Sequence, residues 1–116
     1  MSVTAGSNPS NAVGVADALA ELQKVRYLYL VTEKELRVLK VKLAEVGEAR
    51  RVLSKGVHRR IYRALGNLLI EVSEEEARKY LEEEEEVLKL RVNALEKRRR
   101  ELLSKIAELE KGLGIR

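Results

Sequence analysis

The stretch IYRALGNLLIEVSEEEA, residues 61–77, decides how the rest of this 116-residue chain is read. Ile61 to Leu65 and Leu68 to Val72 are rich in branched and apolar residues, and only Gly66-Asn67 stands between them. Two such runs around a two-residue turn predict a β-hairpin. Pairing across the turn puts Leu65 opposite Leu68, Arg63 opposite Ile70, and Ile61 opposite Val72. Side chains alternate with period two, so these six share one face, while Tyr62, Ala64, Leu69 and Glu71 take the other. The first face is apolar except for Arg63. Ser73 with Glu76 then has the Ser-x-x-Glu spacing of a capping box, which predicts a helix opening just after the second strand.

Working outward, the chain on both sides reads as helix. From Val15 the spacing alternates three and four through Ala18, Leu22, Val25, Tyr29, Thr32, Leu36, Leu39, Leu43, Val46, Arg50 and Leu53. After the hairpin it resumes through Leu81, Glu85, Leu88, Val92, Leu95, Arg99, Leu102, Ile106, Leu109 and Leu113. A sustained 3.5-residue period is the signature of a left-handed coiled coil. The expected organisation is one domain over residues 1–116: a disordered tail over 1–12, a first helix over 13–54, the hairpin segment over 55–73, a second helix over 74–113, and a C-terminal tail over 114–116. Helices of nearly equal length around a short connector favour an antiparallel fold-back, which sets Thr32 near Arg99. The fold class is therefore mainly α, a long antiparallel two-helix coiled coil joined by one β-hairpin.

Charge agrees with this pairing. Arg50, Arg51, Lys55, Arg59, Arg60 and Arg63 lie where the first helix ends, and SEEEARKYLEEEEE opens the second, so folding back sets opposite signs side by side. Each sign also suits its own helix end, negative at the start and positive at the finish. The aromatics are only Tyr27, Tyr29, Tyr62 and Tyr80, and 36% of residues are charged, which fits long helices better than a compact core. No cysteine is present, so disulfides and thiolate metal sites are excluded. No apolar run approaches a bilayer span of about 20 residues, and no basic region followed by an apolar one opens the chain. These features predict a cytoplasmic protein that does not enter membranes.

A lone two-stranded hairpin is marginal in water, and both its edges can pair with another chain. The coiled-coil seam is not expected to cover its apolar face, so other subunits must. Several subunits that pool hairpins into a β-barrel, with the helices as arms, are the economical solution.

At this point a family resemblance becomes specific. The run IYRALGNLLIEVSEEEARKYLEEEEEVLKLRVNALEKRRREL resembles archaeal prefoldin β subunits, in which a V-Y-K strand, a V-G-N or V-G-x turn and an L-L-V-K-V strand lead into a charged helix. The matching residues are Ile61-Tyr62-Arg63, Leu65-Gly66-Asn67 and Leu68-Leu69-Ile70-Glu71-Val72, and LKLRVNALEKRRREL is similar to the family's L-x-L-R-V-x-x-L-x-K. Residues 57–110 carry the resemblance; the first helix matches in period and length only. Arg63 stands where the pattern has Lys, and Ile61 where it has Val. One hairpin points to the β type, since the α type has two.

The resemblance implies an ATP-independent chaperone subunit that assembles with a prefoldin α-type subunit and further β copies into an α2β4 hexamer. It further implies capture of unfolded client proteins at the coiled-coil tips and their delivery to a group II chaperonin. The assembly residues would be Ile61, Tyr62, Leu65, Gly66, Asn67, Leu68, Leu69, Ile70 and Val72. The client-binding tips would be Val13, Val15, Ala16 and Leu19 with Leu109, Leu113 and Ile115. No cofactor is implied, and no G-x-x-x-x-G-K-[ST] loop is present to couple the chain to ATP.

Competing readings rest on less. The run KRRR, residues 97–100, could track phosphates, but Arg99 is a seam position and no aromatic stacking platform accompanies the run. A nucleic-acid partner is therefore not expected. A scaffold or tether that spaces two partners fits the helices but leaves the apolar hairpin unexplained. The single histidine, His58, has no ligand cluster around it and reads as solvent-facing. Glu82 to Glu86 read as a solvated face. Nothing converges carboxylates in a dry site, so no enzymatic centre is expected.

Overall fold

The computed structural model describes residues 9–56 and 60–115, with side chains from residue 14 onward. The elements are α1 (Pro9–Ser54), β1 (Ile61–Leu65), β2 (Leu68–Val72) and α2 (Glu74–Gly112). α1 begins at Pro9, so residues 9–12, expected in the tail, are helical. Proline suits the first helical position, where its fixed φ is helical and the missing N–H has no partner to lose. Residues 1–8 lie outside the described residues, as do Val57, His58 and Arg59.

α1 closes on Gly56. The Lys55 amide donates to the Val52 carbonyl at 3.2 Å and the Gly56 amide to the Leu53 carbonyl at 3.3 Å, tightening the last turn. Gly56 has φ of 80°, a left-handed conformation that glycine adopts without steric cost. α2 opens on the predicted cap: the Glu76 amide donates to Ser73 Oγ at 3.1 Å, and Glu74, Glu75 and Glu76 fill the first turn. Negative charge there opposes the positive end of the helix dipole.

The chain divides into two units, each containing part of both helices. In the unit that carries the hairpin, residues 36–94, the buried apolar residues are Leu36, Leu39, Leu53, Ala77, Leu88 and Val92. Leu43, Val46 and Leu81 are half-buried. All but Ala77 are positions of the 3.5-residue seam. Arg50 in this unit meets Glu85 at 2.7 Å and Glu82 at 3.9 Å, as the opposed charges of the two helix ends require.

In the other unit, described for residues 9–35 and 95–115, Leu22, Val25 and Thr32 are buried. Tyr29, Leu95, Leu102, Ile106, Leu109 and Leu113 are half-buried around them. Thr32, the first polar interruption of the seam, donates its hydroxyl to the Leu28 carbonyl at 2.8 Å and needs no partner across the pair. Arg99, the other polar seam position of this unit, donates from Nη1 to Glu33 Oε1 at 3.1 Å, one residue beyond Thr32. Its Nε is buried and has no hydrogen-bond partner among the described residues. Glu110 lies off the seam yet is buried, because Arg26 Nη2 donates to its Oε2 at 2.8 Å.

Candidate functional site

The hairpin pairs as its turn requires. Ile61 faces Val72, Tyr62 faces Glu71, Arg63 faces Ile70, Ala64 faces Leu69 and Leu65 faces Leu68. Gly66 has φ of 60° and Asn67 is not in the left-handed region. Positive φ at the first central position alone is the pattern of a type II′ turn, whose twist matches that of the strands it joins. The sheet has two strands, so each leaves an outer edge of backbone donors and acceptors unpaired by any other strand among the described residues.

Most of the hairpin is open to solvent on both faces. Leu68 is 66% exposed and Leu69, on the opposite face, 71%; Tyr62, Leu65 and Ile70 are each about half exposed. The base differs. Ile61 and Val72 are half-buried, and they line a groove of about 820 Å³ with Val46, Val52, Leu53 and Tyr80. Arg63 places its guanidinium 3.8 Å from the centre of the Tyr80 ring. The expectation that the helices leave the apolar face uncovered is thus corrected at its base: the helix ends share a groove with Ile61 and Val72, while Leu65, Leu68 and Ile70 stay open.

Salt links surround this site. Arg60 Nε lies 3.8 Å from Glu71 across the strands. Lys89 joins Arg50 on Glu85, at 3.4 Å, so Glu85 within the acidic run is half-buried and paired rather than simply solvated. Arg51 donates two hydrogen bonds to Glu48, which hold the Glu48 carboxyl below the usual carboxylate range and raise Arg51 in turn.

The second set of residues picked out from sequence lies near the chain ends. Val15, Ala16 and Leu19 are exposed, Leu109 and Leu113 are half-buried, and Ile115 is 50% exposed. The side chain of Val13 lies outside the described residues. Ile115, expected in a free tail, is tied back by its backbone. Its amide donates to the Glu110 carbonyl at 2.9 Å, the Gly114 amide donates to the Lys111 carbonyl at 3.1 Å, and Gly114 has φ of 73°. That is a Schellman cap, made possible by the glycine.

Residue patterns alone did not single out Tyr80, Ala77 or the groove. A signal exists in hindsight: Ala77, Tyr80 and Leu81 follow the three-four spacing of one helix face, and Arg63 is the only charge on the hairpin's apolar face. In KRRR, Lys97, Arg98 and Arg100 are exposed and Arg99 turns inward to Glu33, so the run is not one basic stripe. No helix among the described residues is long and apolar enough to cross a membrane.

Residues 17–116 match the family described as prefoldin subunit. The chain belongs to the prefoldin subunit family. Two solved prefoldin structures share the arrangement. The prefoldin β subunit from Thermococcus strain KS-1 aligns with a TM-score of 0.75 at 22% identity, over 86% of this chain and 89% of that one. The prefoldin β2 subunit from the same strain aligns with a TM-score of 0.58 at 29% identity, over 84% of this chain and 98% of that one. A comparison with curated proteins gives no match. Two long helices joined by one antiparallel hairpin are thus the prefoldin β fold, and membership of the prefoldin family makes the chain a chaperone subunit that oligomerises with other prefoldin subunits.

Proposed function

We propose that this prefoldin chain is one arm of an ATP-independent holding chaperone: its hairpin joins those of an α-type subunit and further β copies in a β-barrel of an α2β4 hexamer, and its chain ends capture unfolded proteins for a group II chaperonin. The observation that carries the reading is the hairpin tip, where Leu65, Leu68, Leu69 and Ile70 are exposed on both faces of a sheet with open edges. Exposed strand edges and contiguous apolar surface are what a partner covers. No phosphate-binding loop is present in the sequence, which supports capture and release without ATP. The reading places the protein in the cytoplasm, among its partners and clients, and requires no catalytic residue or cofactor.

Client capture is assigned to Val13, Val15, Ala16, Leu19, Leu109, Leu113 and Ile115. Val15 and Leu19 offer apolar surface now in water, and burial returns about 25 cal/mol per Å². A single tip therefore holds weakly, while several tips on one particle multiply the effect through effective concentration. Weakness per arm allows release.

The test is light scattering of a chemically unfolded protein diluted without ATP into this chain assembled with an α-type subunit. Aggregation should be suppressed. The variant Val15→Ser/Leu19→Ser/Ile115→Ser should assemble yet lose most of that suppression; substitution is preferred to truncation at residue 110, which would cut the Arg26–Glu110 link. Full suppression by the triple variant would move the contacts away from the tips. An assembled wild type that fails to suppress aggregation would overturn the holding reading itself.

A further inference from the structure

The hairpin joins α2 through a single residue, Ser73, between Val72 and Glu74. Residues 55–60 join α1 to β1 at the same end, so both covalent links lie at the base of the hairpin and leave the direction of its tip to side-chain contacts. Arg63 supplies one such contact above the base. It lies on β1, the strand not joined to α2 directly, and its guanidinium sits 3.8 Å from the Tyr80 ring centre. Tyr80 is about two turns along α2 from the neck, and Arg63 is about 7 Å up the strand from the Ile61–Val72 pair. Neck, strand and helix thus form a triangle that the Arg63–Tyr80 contact closes above the docked base.

The residue types suit that task. Arg63 shares a face with Ile61, Leu65, Leu68, Ile70 and Val72, where a charge aimed at an apolar partner would be buried unpaired. Turned back onto Tyr80, it covers an aromatic ring instead, and its face of the hairpin is left apolar toward the tip. A planar guanidinium stacks on a ring in a way an ammonium does not. The half-buried state of Ile61, Val72 and Tyr80 around one groove marks the same boundary between the docked base and the open tip.

We infer that the contact between Arg63 and Tyr80 is a clamp that fixes the direction in which the hairpin leaves its helices, and so presents the exposed tip to neighbouring subunits in the orientation that assembly uses. The inference rests on the assembly reading above. Tyr80 and Arg63 are positioning residues on this account: they act through the hairpin and need not touch the neighbour.

The absence of cysteine lets paired spin labels be placed at Asn67→Cys and Glu83→Cys, and the distance distribution between them reads the swivel in the chain alone. The unsubstituted pair and Tyr80→Phe, which keeps the ring, should give one narrow distribution. Tyr80→Leu and Arg63→Met should broaden it with helix content unchanged, and Arg63→Lys should fall between. Sedimentation with an α-type subunit should show the Leu and Met variants dissociating at concentrations about 3- to 10-fold higher, the effect of losing one cation–π contact. Narrow distributions in all variants would overturn the clamp. Broad distributions with undiminished assembly would overturn its role in presentation. A wild type that forms no complex would overturn the assembly reading and that role together, while the distance measurement still decides the clamp.

Discussion

Leu22 and Leu68 are both leucines set by a regular period, yet Leu22 is 1% exposed and Leu68 is 66% exposed. The first belongs to a seam with a period of 3.5 residues, and the chain carries a matching stripe on its other helix. The second belongs to a strand with a period of two, and the described residues hold only one partner strand. A helix satisfies its backbone internally and needs one apolar face covered, which a second helix can do. A hairpin has two faces and two open edges, and one helix pair reaches only the base of one face. The seam is therefore covered within the chain, whereas the tip stays open, and it is this open tip that the proposed assembly uses.

The largest expected effect breaks the comparison on the hairpin side. Replacing Leu65, Leu68 and Ile70 together with Asp should abolish assembly while the chain remains helical by circular dichroism; a complex of unchanged mass would show that the tip is not the joint. On the seam side, Leu36→Ala should cost about 2–4 kcal/mol in denaturant unfolding of the isolated chain, since it removes a side chain buried to 2% exposure. Leu68→Ala, by contrast, should change that stability by less than about 0.5 kcal/mol and act on assembly alone. Equal losses from the two leucines would erase the distinction between seam and tip.

A smaller effect sharpens the seam itself. Arg99 and Glu33 form a partly buried pair that leaves Arg99 Nε without a partner among the described residues. Breaking the pair with Glu33→Ala should destabilise by about 1 kcal/mol, because a partly buried charge loses its counterion. The double variant Glu33→Ala/Arg99→Leu should recover that loss by restoring an apolar seam residue. A double variant weaker than the single one would assign the pair a stabilising role.

The smallest effect lies at Glu48. Its carboxyl is held low by the hydrogen bond from Arg51, so the pair's stabilisation is present above the unfolded carboxylate's pKa and is lost as pH falls through the lowered folded value. The pair is fully exposed and screened by solvent. Glu48→Gln should therefore lower the melting temperature at pH 7 barely above the limit of measurement, and the difference should fade as pH falls through the lowered folded value. A large shift at neutral pH would mean that this helix end depends on charge more than on its seam.

Much of this was legible because the governing interactions are local or periodic. The hairpin register follows from a two-residue turn, the start of α2 from Ser73 and Glu76, and the seam from the three-four spacing; each needs only neighbours along the chain. The end of α1 at Ser54 is equally local, stopped by the left-handed Gly56. The N-terminal boundary was misplaced because small polar residues suggest a tail, whereas Pro9 is also a good first residue of a helix.

What was hidden depends on which side chains distant segments bring together. The pairing of Arg99 with Glu33 rather than Thr32, the burial of Glu110 under Arg26, and the stacking of Arg63 on Tyr80 each turn on helix rotation and strand placement that a period cannot resolve. A period of 3.5 residues states which face is turned inward; it does not state which flanking side chain lies beside which across the pair. Local chemistry therefore settles the elements, their caps and the apolar faces, because these free energies are decided within a few residues. Packing between segments settles the ion pairs, the groove and the angle of the hairpin, because those depend on distances between atoms far apart in the chain.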